Sequence, residues 1–150
     1  MKIYTSYFYQ VRFFTPNMVP ISTAKWPPKW YGEKPYIDKR GVMNGLKADV
    51  FAPGKECEGL CRGPKGCLYL PNNCPFLNAY WNQLSKLNFQ DIMLRTQALC
   101  NKVCCTLGCA EEPIAVFLVH EAPTNPCSER IIIQKWFAAN DLIVPEWTKI

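Results

Sequence analysis

Between Pro113 and His120 the chain runs Ile114-Ala115-Val116-Phe117-Leu118-Val119, six apolar residues with no polar interruption. A strand that faces water on one side alternates apolar with polar. An unbroken apolar run instead belongs to a strand covered on both faces, at the centre of a mostly parallel sheet. That requirement points to an α/β architecture, because parallel neighbours need long crossovers that are usually helical. Lys2–Tyr9 and Met18–Thr23 are rich in β-branched and aromatic residues and read as two further strands.

The helices follow from spacing. Phe76, Leu77, Tyr80, Trp81, Leu84 and Leu87 recur at helical intervals behind Pro75, a residue suited to a first turn. Asn88 or Asp91 caps a second helix that carries Ile92, Met93, Leu94, Leu99 and Val103 and stops at Gly108. A third helix spans about Cys127 to Ala139, and Asp141 to Trp147 adds a short edge strand. With 150 residues and 49% apolar composition, a single domain over 1–150 is expected, with one irregular insertion at about 32–74.

The insertion is where the cysteines begin. Eight of nine cysteines fall in two groups: Cys57, Cys61, Cys67 and Cys74, then Cys100, Cys104, Cys105 and Cys109. The first residues lack the apolar core and cleavage site of a signal peptide, and no run approaches the roughly 20 apolar residues of a membrane span. A cytoplasmic chain in a reducing compartment is therefore expected, where clustered cysteines serve as metal ligands more often than as disulfides. Cys57, Cys61, Cys67 and Cys74, interleaved with glycines, fit a tetrahedral zinc site that would organise the insertion. An iron–sulfur cluster is the second choice, although the Cys61-to-Cys67 gap is too long for the radical-SAM ligand pattern. Cys100 and Cys104, like Cys105 and Cys109, share helix faces, which reads as core packing ahead of ligation.

The second candidate site is the loop Glu121-Ala122-Pro123-Thr124-Asn125-Pro126-Cys127-Ser128-Glu129-Arg130. It leaves the C-terminal end of the apolar strand and opens a helix, where α/β sheets hold their ligands. Free amides at a helix start favour an anion, which the chain's net charge of +5 also suits. Arg130 offers a bidentate fork to that anion, Cys127 a thiolate nucleophile, and Glu121 or Glu129 an acid or base. Ser6, Tyr7, Asn125 and Ser128 complete the predicted ligand pocket. The Cys127-to-Arg130 spacing is too short for a phosphatase loop, and His120 reads as a hydrogen-bonded histidine before a catalyst. Asn125, Ser128 and Glu129 are equally at home as ordinary capping and first-turn residues. Trp26, Trp30 and Tyr31, with Tyr7 and Tyr9 nearby if the first strands adjoin, form an aromatic group beside lysines that suits core cover or base stacking.

Met1-Lys2-Ile3-Tyr4-Thr5-Ser6-Tyr7-Phe8, Val19-Pro20-Ile21-Ser22, Cys74-Pro75-Phe76-Leu77, Glu121, Pro123, Pro126-Cys127-Ser128-Glu129-Arg130 and Glu146-Trp147 together resemble the domain-of-unknown-function 488 family. The likeness is to a cysteine-rich subgroup with relatives in bacteria and phages, and it covers most of the chain. It implies a compact Rossmann-like α/β sandwich and no established activity. The wider family carries Cys-His-Arg where this chain has Cys127-Ser128-Glu129-Arg130, which removes the histidine from any Cys–His chemistry.

Two functions are thus expected. The first is binding of a nucleotide or similar phosphorylated small molecule, with hydrolysis or transfer as the reaction class. The second is a zinc-stabilised module that presents Lys47, Lys55, Arg62 and Lys65 to nucleic acid or a protein partner.

Overall fold

The computed structural model describes residues 1–61 and 73–149. Its centre is a parallel sheet of β1 (Lys2–Tyr7), β2 (Met18–Ser22) and β5 (Ile114–Val119), in the order β1-β5-β2. The apolar run therefore takes the middle position, with Lys2 to Tyr7 opposite Ile114 to Val119 on one side and Met18 to Ser22 opposite Ile114 to Leu118 on the other. Single parallel bridges widen the sheet at both edges, Thr5 with Glu146 and Ser22 with Lys47. The expected strand near Trp147 is thus one bridge long.

The alternation of β5 sorts the core into two layers. Ala115, Phe117 and Val119 pack with α1 (Pro75–Ser85), α2 (Phe89–Leu107) and α3 (Glu129–Ala139). Val116 and Leu118 face Phe8, Val11, Phe14, Tyr31 and Val42 on the opposite side. The three described helices stack on one face with the 3-10 turns Asp49–Phe51 and Lys55–Cys57, and the turns Phe8–Phe13 and Lys29–Tyr31 cover the other.

Helix ends obey their sequence signals. Asn88 accepts from the Asp91 amide at 2.9 Å, so Asn88 rather than Asp91 caps α2. Gly108, at φ +68°, ends it, and the Cys109 amide donates back to the Cys104 carbonyl at 2.9 Å. Cys100 and Cys104 are buried in the core as expected, whereas Cys105 is exposed and Cys109 is half-buried beyond the end of α2, where it no longer shares a helix face with Cys105.

The first strand is shorter than its composition predicts. It stops at Tyr7, and Phe8–Phe13 forms a 3-10 turn. That winding puts Phe8, Val11 and Phe14 at intervals of three on one buried face.

The predicted thiol group is only partly within the described residues. Among the described residues no three His, Cys, Asp or Glu side chains are arranged to hold an ion, and Cys67 lies outside them. Cys57 is buried, Cys61 exposed, and Cys74 half-buried at the N-cap of α1.

Polar side chains hold the described part of the insertion. Tyr31 Oη donates to the carbonyls of Pro20 (3.0 Å) and Leu46 (2.5 Å). Asp38 accepts from the Arg40 and Val42 amides and from Asn44 Nδ2, closing the turn between β3 (Tyr36–Ile37) and β4 (Met43–Asn44). From α1, Tyr80 Oη donates to Phe51 O at 2.5 Å, while Gln83 Nε2 donates to Ala52 O (2.8 Å) and Val50 O (3.2 Å). Gln83 Oε1 accepts from the Gly54 amide at 2.8 Å. Buried carbonyls that would otherwise lack donors are satisfied by these two residues. No described helix is long and apolar enough to cross a membrane.

Candidate functional site

β2 and β5 end side by side, and the segments leaving the two strands meet the start of α3. After β2 come Ala24, Lys25 and Trp26; after β5 comes His120; α3 opens on Glu129. Together with Cys57, Glu58, Cys61 and Phe76 these residues line a cleft of about 340 Å³. It lies at the C-terminal edge of a parallel sheet, the general location of ligand sites in this class.

Glu129 is the chemically unusual group here. Burial pushes its carboxyl up to about 7, and the negative charge of Glu121 adds to that, while Arg130 pulls weakly the other way. Beside Glu129, Glu121 Oε1 is buried and has no donor among the described residues. A carboxyl pushed up to about 7 can give up or take back its proton near neutral pH.

The rest of the cleft is mixed in character. Trp26 is 78% exposed, and its backbone carbonyl is held 2.8 Å from His120 Nε2. Lys25 pairs with Glu58 at 3.2 Å and sits 5.9 Å from the centre of the Trp26 ring. The Cys57 thiol is raised by burial, and its sulfur lies 3.8 Å from Gln83 Oε1. It is therefore a packed thiol held towards its protonated form.

The residues predicted around the helix start are drawn into other duties. Arg130 is 4% exposed; its Nε lies 2.6 Å from Glu146 Oε1, and Nη2 donates to the Glu121 carbonyl at 2.6 Å. Its fork is thus spent on the protein rather than offered to an anion. Ser128 is the N-cap of α3 and accepts from the Arg130 amide at 3.2 Å. Asn125 Oδ1 accepts from the Cys127 amide at 2.9 Å, and the Cys127 side chain is half-buried. Ser6 is fully buried and donates to the Trp147 carbonyl at 2.7 Å. Tyr7 Oη accepts from Gln10 Nε2 at 2.9 Å, with the Arg130 guanidinium 5.9 Å from its ring centre.

The structure therefore joins Cys57 and Cys61 of the thiol group to Glu129, with Glu121 beside it, and leaves Ser6, Asn125, Ser128 and Arg130 as supports. Sequence reasoning does not join Lys25 and Trp26 to Glu129 as one site. The available signal is their position directly after a parallel strand. Comparison of the chain with family models, with curated proteins and with solved structures finds no match in any of the three.

Proposed function

We propose that this chain binds a nucleotide or nucleoside in the cleft beside Trp26 and carries out hydrolysis or transfer on it, with Glu129 and Glu121 as the acid–base pair. The observation that carries the reading is Glu129 in the cleft lining beside the buried, unpartnered Glu121 Oε1, with burial and the Glu121 charge pushing the Glu129 carboxyl up to about 7. The exposed Trp26 ring supplies a face for a base, and Lys25 a cation for a phosphate. Glu129 gives its proton to the leaving nitrogen or oxygen. Both carboxylates are then ionised and repel, so the pair recovers a proton from the incoming water or hydroxyl group, which becomes the nucleophile.

On this proposal the fold is Rossmann-like and the chain is a relative of the domain-of-unknown-function 488 family. Supporting both are the three parallel strands and the strand, loop, Pro126–Arg130, helix order at the C-terminal end of β5. The structural zinc expected on Cys57, Cys61, Cys67 and Cys74 stays part of the proposal, with Cys67 outside the described residues, and no catalytic step is assigned to it. Of the basic face in the interaction-module alternative, Lys47 and Lys55 are exposed, while Arg62 and Lys65 lie outside the described residues.

The test is product analysis against a panel of nucleosides and nucleotides, with wild type and Glu129→Gln. Turnover should fall by about 10²-fold or more in the variant while ligand quenching of Trp fluorescence persists. Equal turnover by both proteins would refute the assignment of Glu129. Ligand binding with no turnover in either would reduce the function to sequestration.

A further inference from the structure

A second cleft adjoins the first across a shared wall. It measures about 230 Å³ and is lined by Phe8, Arg12, Trp30 and Arg40. Phe8 stands 5.1 Å from the His120 ring, and His120 lines the first cleft and anchors the Trp26 carbonyl. On its other side Phe8 meets Trp30 edge-on at 6.3 Å. Phe8 and His120 therefore separate two surface hollows, each with a tryptophan at its rim.

The hollows have the composition that a nucleic-acid strand requires. Trp30 is 50% exposed and meets both Phe8 and Tyr31 in T-shaped contacts, with no parallel stacking partner among the described residues. Arg12 is exposed, lies 3.8 Å from the centre of the Tyr9 ring, and forms no ion pair among the described residues. Arg40 is the less available cation, since Asp38 pairs with it at 2.6 Å. Single-strand binders combine aromatic platforms for successive bases with cations that track the phosphates. Free mononucleotides need only one such platform.

We infer that the substrate is a nucleotide within a single strand of nucleic acid: one base at Trp26 in the carboxyl cleft, a neighbouring base at Trp30, and a phosphate on the Trp30 side near Arg12. The inference rests on the proposed function of the first cleft for the reacting base, and on the second cleft for the neighbour. DNA and RNA share this chemistry.

Binding is measured by fluorescence anisotropy with labelled oligothymidine and oligouridine of about 12 nucleotides, within the range that single-strand sites cover. A duplex of the same length and a mononucleotide serve as competitors. One oligomer should bind at least about tenfold tighter than the mononucleotide, and Trp30→Ala should cost about tenfold for the strand and nothing for the mononucleotide. Arg12→Ala should lower the salt slope of strand binding by about one. Both residues are exposed, and far-UV circular dichroism of each variant verifies the fold. Strand binding unaffected by Trp30→Ala, or a duplex that competes as well as the strand, overturns the inference. Mononucleotide turnover that depends on Glu129, with strand binding that ignores Trp30, leaves the proposed function standing and removes the strand. Strand binding that depends on Trp30, with turnover indifferent to Glu129→Gln, does the reverse.

Discussion

Arg130 Nε and Glu146 Oε1 meet at 2.6 Å across the seam between α3 and the C-terminal bridge to β1, with both side chains largely removed from water. The same Glu146 oxygen accepts from Thr5 Oγ1 at 2.7 Å, and Thr5 accepts from Gln134 Nε2 at 2.8 Å. Breaking one partner of a buried, hydrogen-bonded pair leaves the other charge stranded, at a cost of about 3–5 kcal/mol. Arg130→Ala should lower the urea midpoint accordingly. The Arg130→Ala/Glu146→Ala double variant should lose less than the sum of the two singles. Additive losses would show that the pair is not coupled.

Glu129 makes stability depend on pH in a defined direction. Its folded-state carboxyl, at about 7, holds a proton more tightly than an ordinary glutamate in the unfolded chain. The contribution is therefore complete below the ordinary carboxyl range and is lost as pH rises through about 7. Allowing for partial solvent access, unfolding free energy should fall by about 2 kcal/mol between about pH 5 and pH 8. Glu129→Gln removes the titrating carboxyl and should flatten that slope. A wild-type slope that survives in Glu129→Gln would assign the titration elsewhere.

The contrast between Arg130 and β5 shows what a sequence carries. Burial of Ile114–Val119 on both faces is written in consecutive residues, and Asn88, Gly108 and Ser128 act on amides or carbonyls a few positions away. Those elements are local and legible. Arg130 looks like an anion ligand until Glu146, sixteen positions later, folds onto it. The carboxyl cleft is likewise assembled from Lys25, Trp26, Cys57 and Glu129, which only the parallel pairing of β2 with β5 brings together. Gln83 has no signature at all: an amide in a helix reads as a surface residue until the loop carbonyls arrive. The turn at Phe8–Phe13 is an intermediate case, since the three-residue spacing of Phe8, Val11 and Phe14 is visible but so is a run of strand-forming residues.

Gln83 links α1 to the loop from Val50 to Gly54 by three hydrogen bonds. Gln83→Ala strands two carbonyls and one amide in a half-buried setting, at about 1–3 kcal/mol per group left fully unsatisfied and less where water enters. A net loss of about 2 kcal/mol is expected, with faster amide exchange at Gly54 than at residues in α2. Unchanged exchange at Gly54 would mean that other contacts hold the loop.

Metal removal should leave the fold outside the thiol segment intact. A structural zinc site contributes on the order of 10 kcal/mol or more of folding free energy, so its removal by a chelator unfolds the segment it organises. Here Tyr31, Tyr80 and Gln83 supply the hydrogen bonds that hold residues 31–54, and Cys57 is a buried thiol raised above its ordinary range by desolvation. Protein purified under reducing conditions should therefore melt at the same temperature with and without an excess of a strong zinc chelator. The Cys57→Ser variant should instead destabilise by about 1–2 kcal/mol, through the polar hydroxyl introduced at a packed site. A large chelator-induced drop in melting temperature, with zinc found in the untreated protein, would show that the thiol-bound ion holds the whole insertion and would restore the metal to its centre.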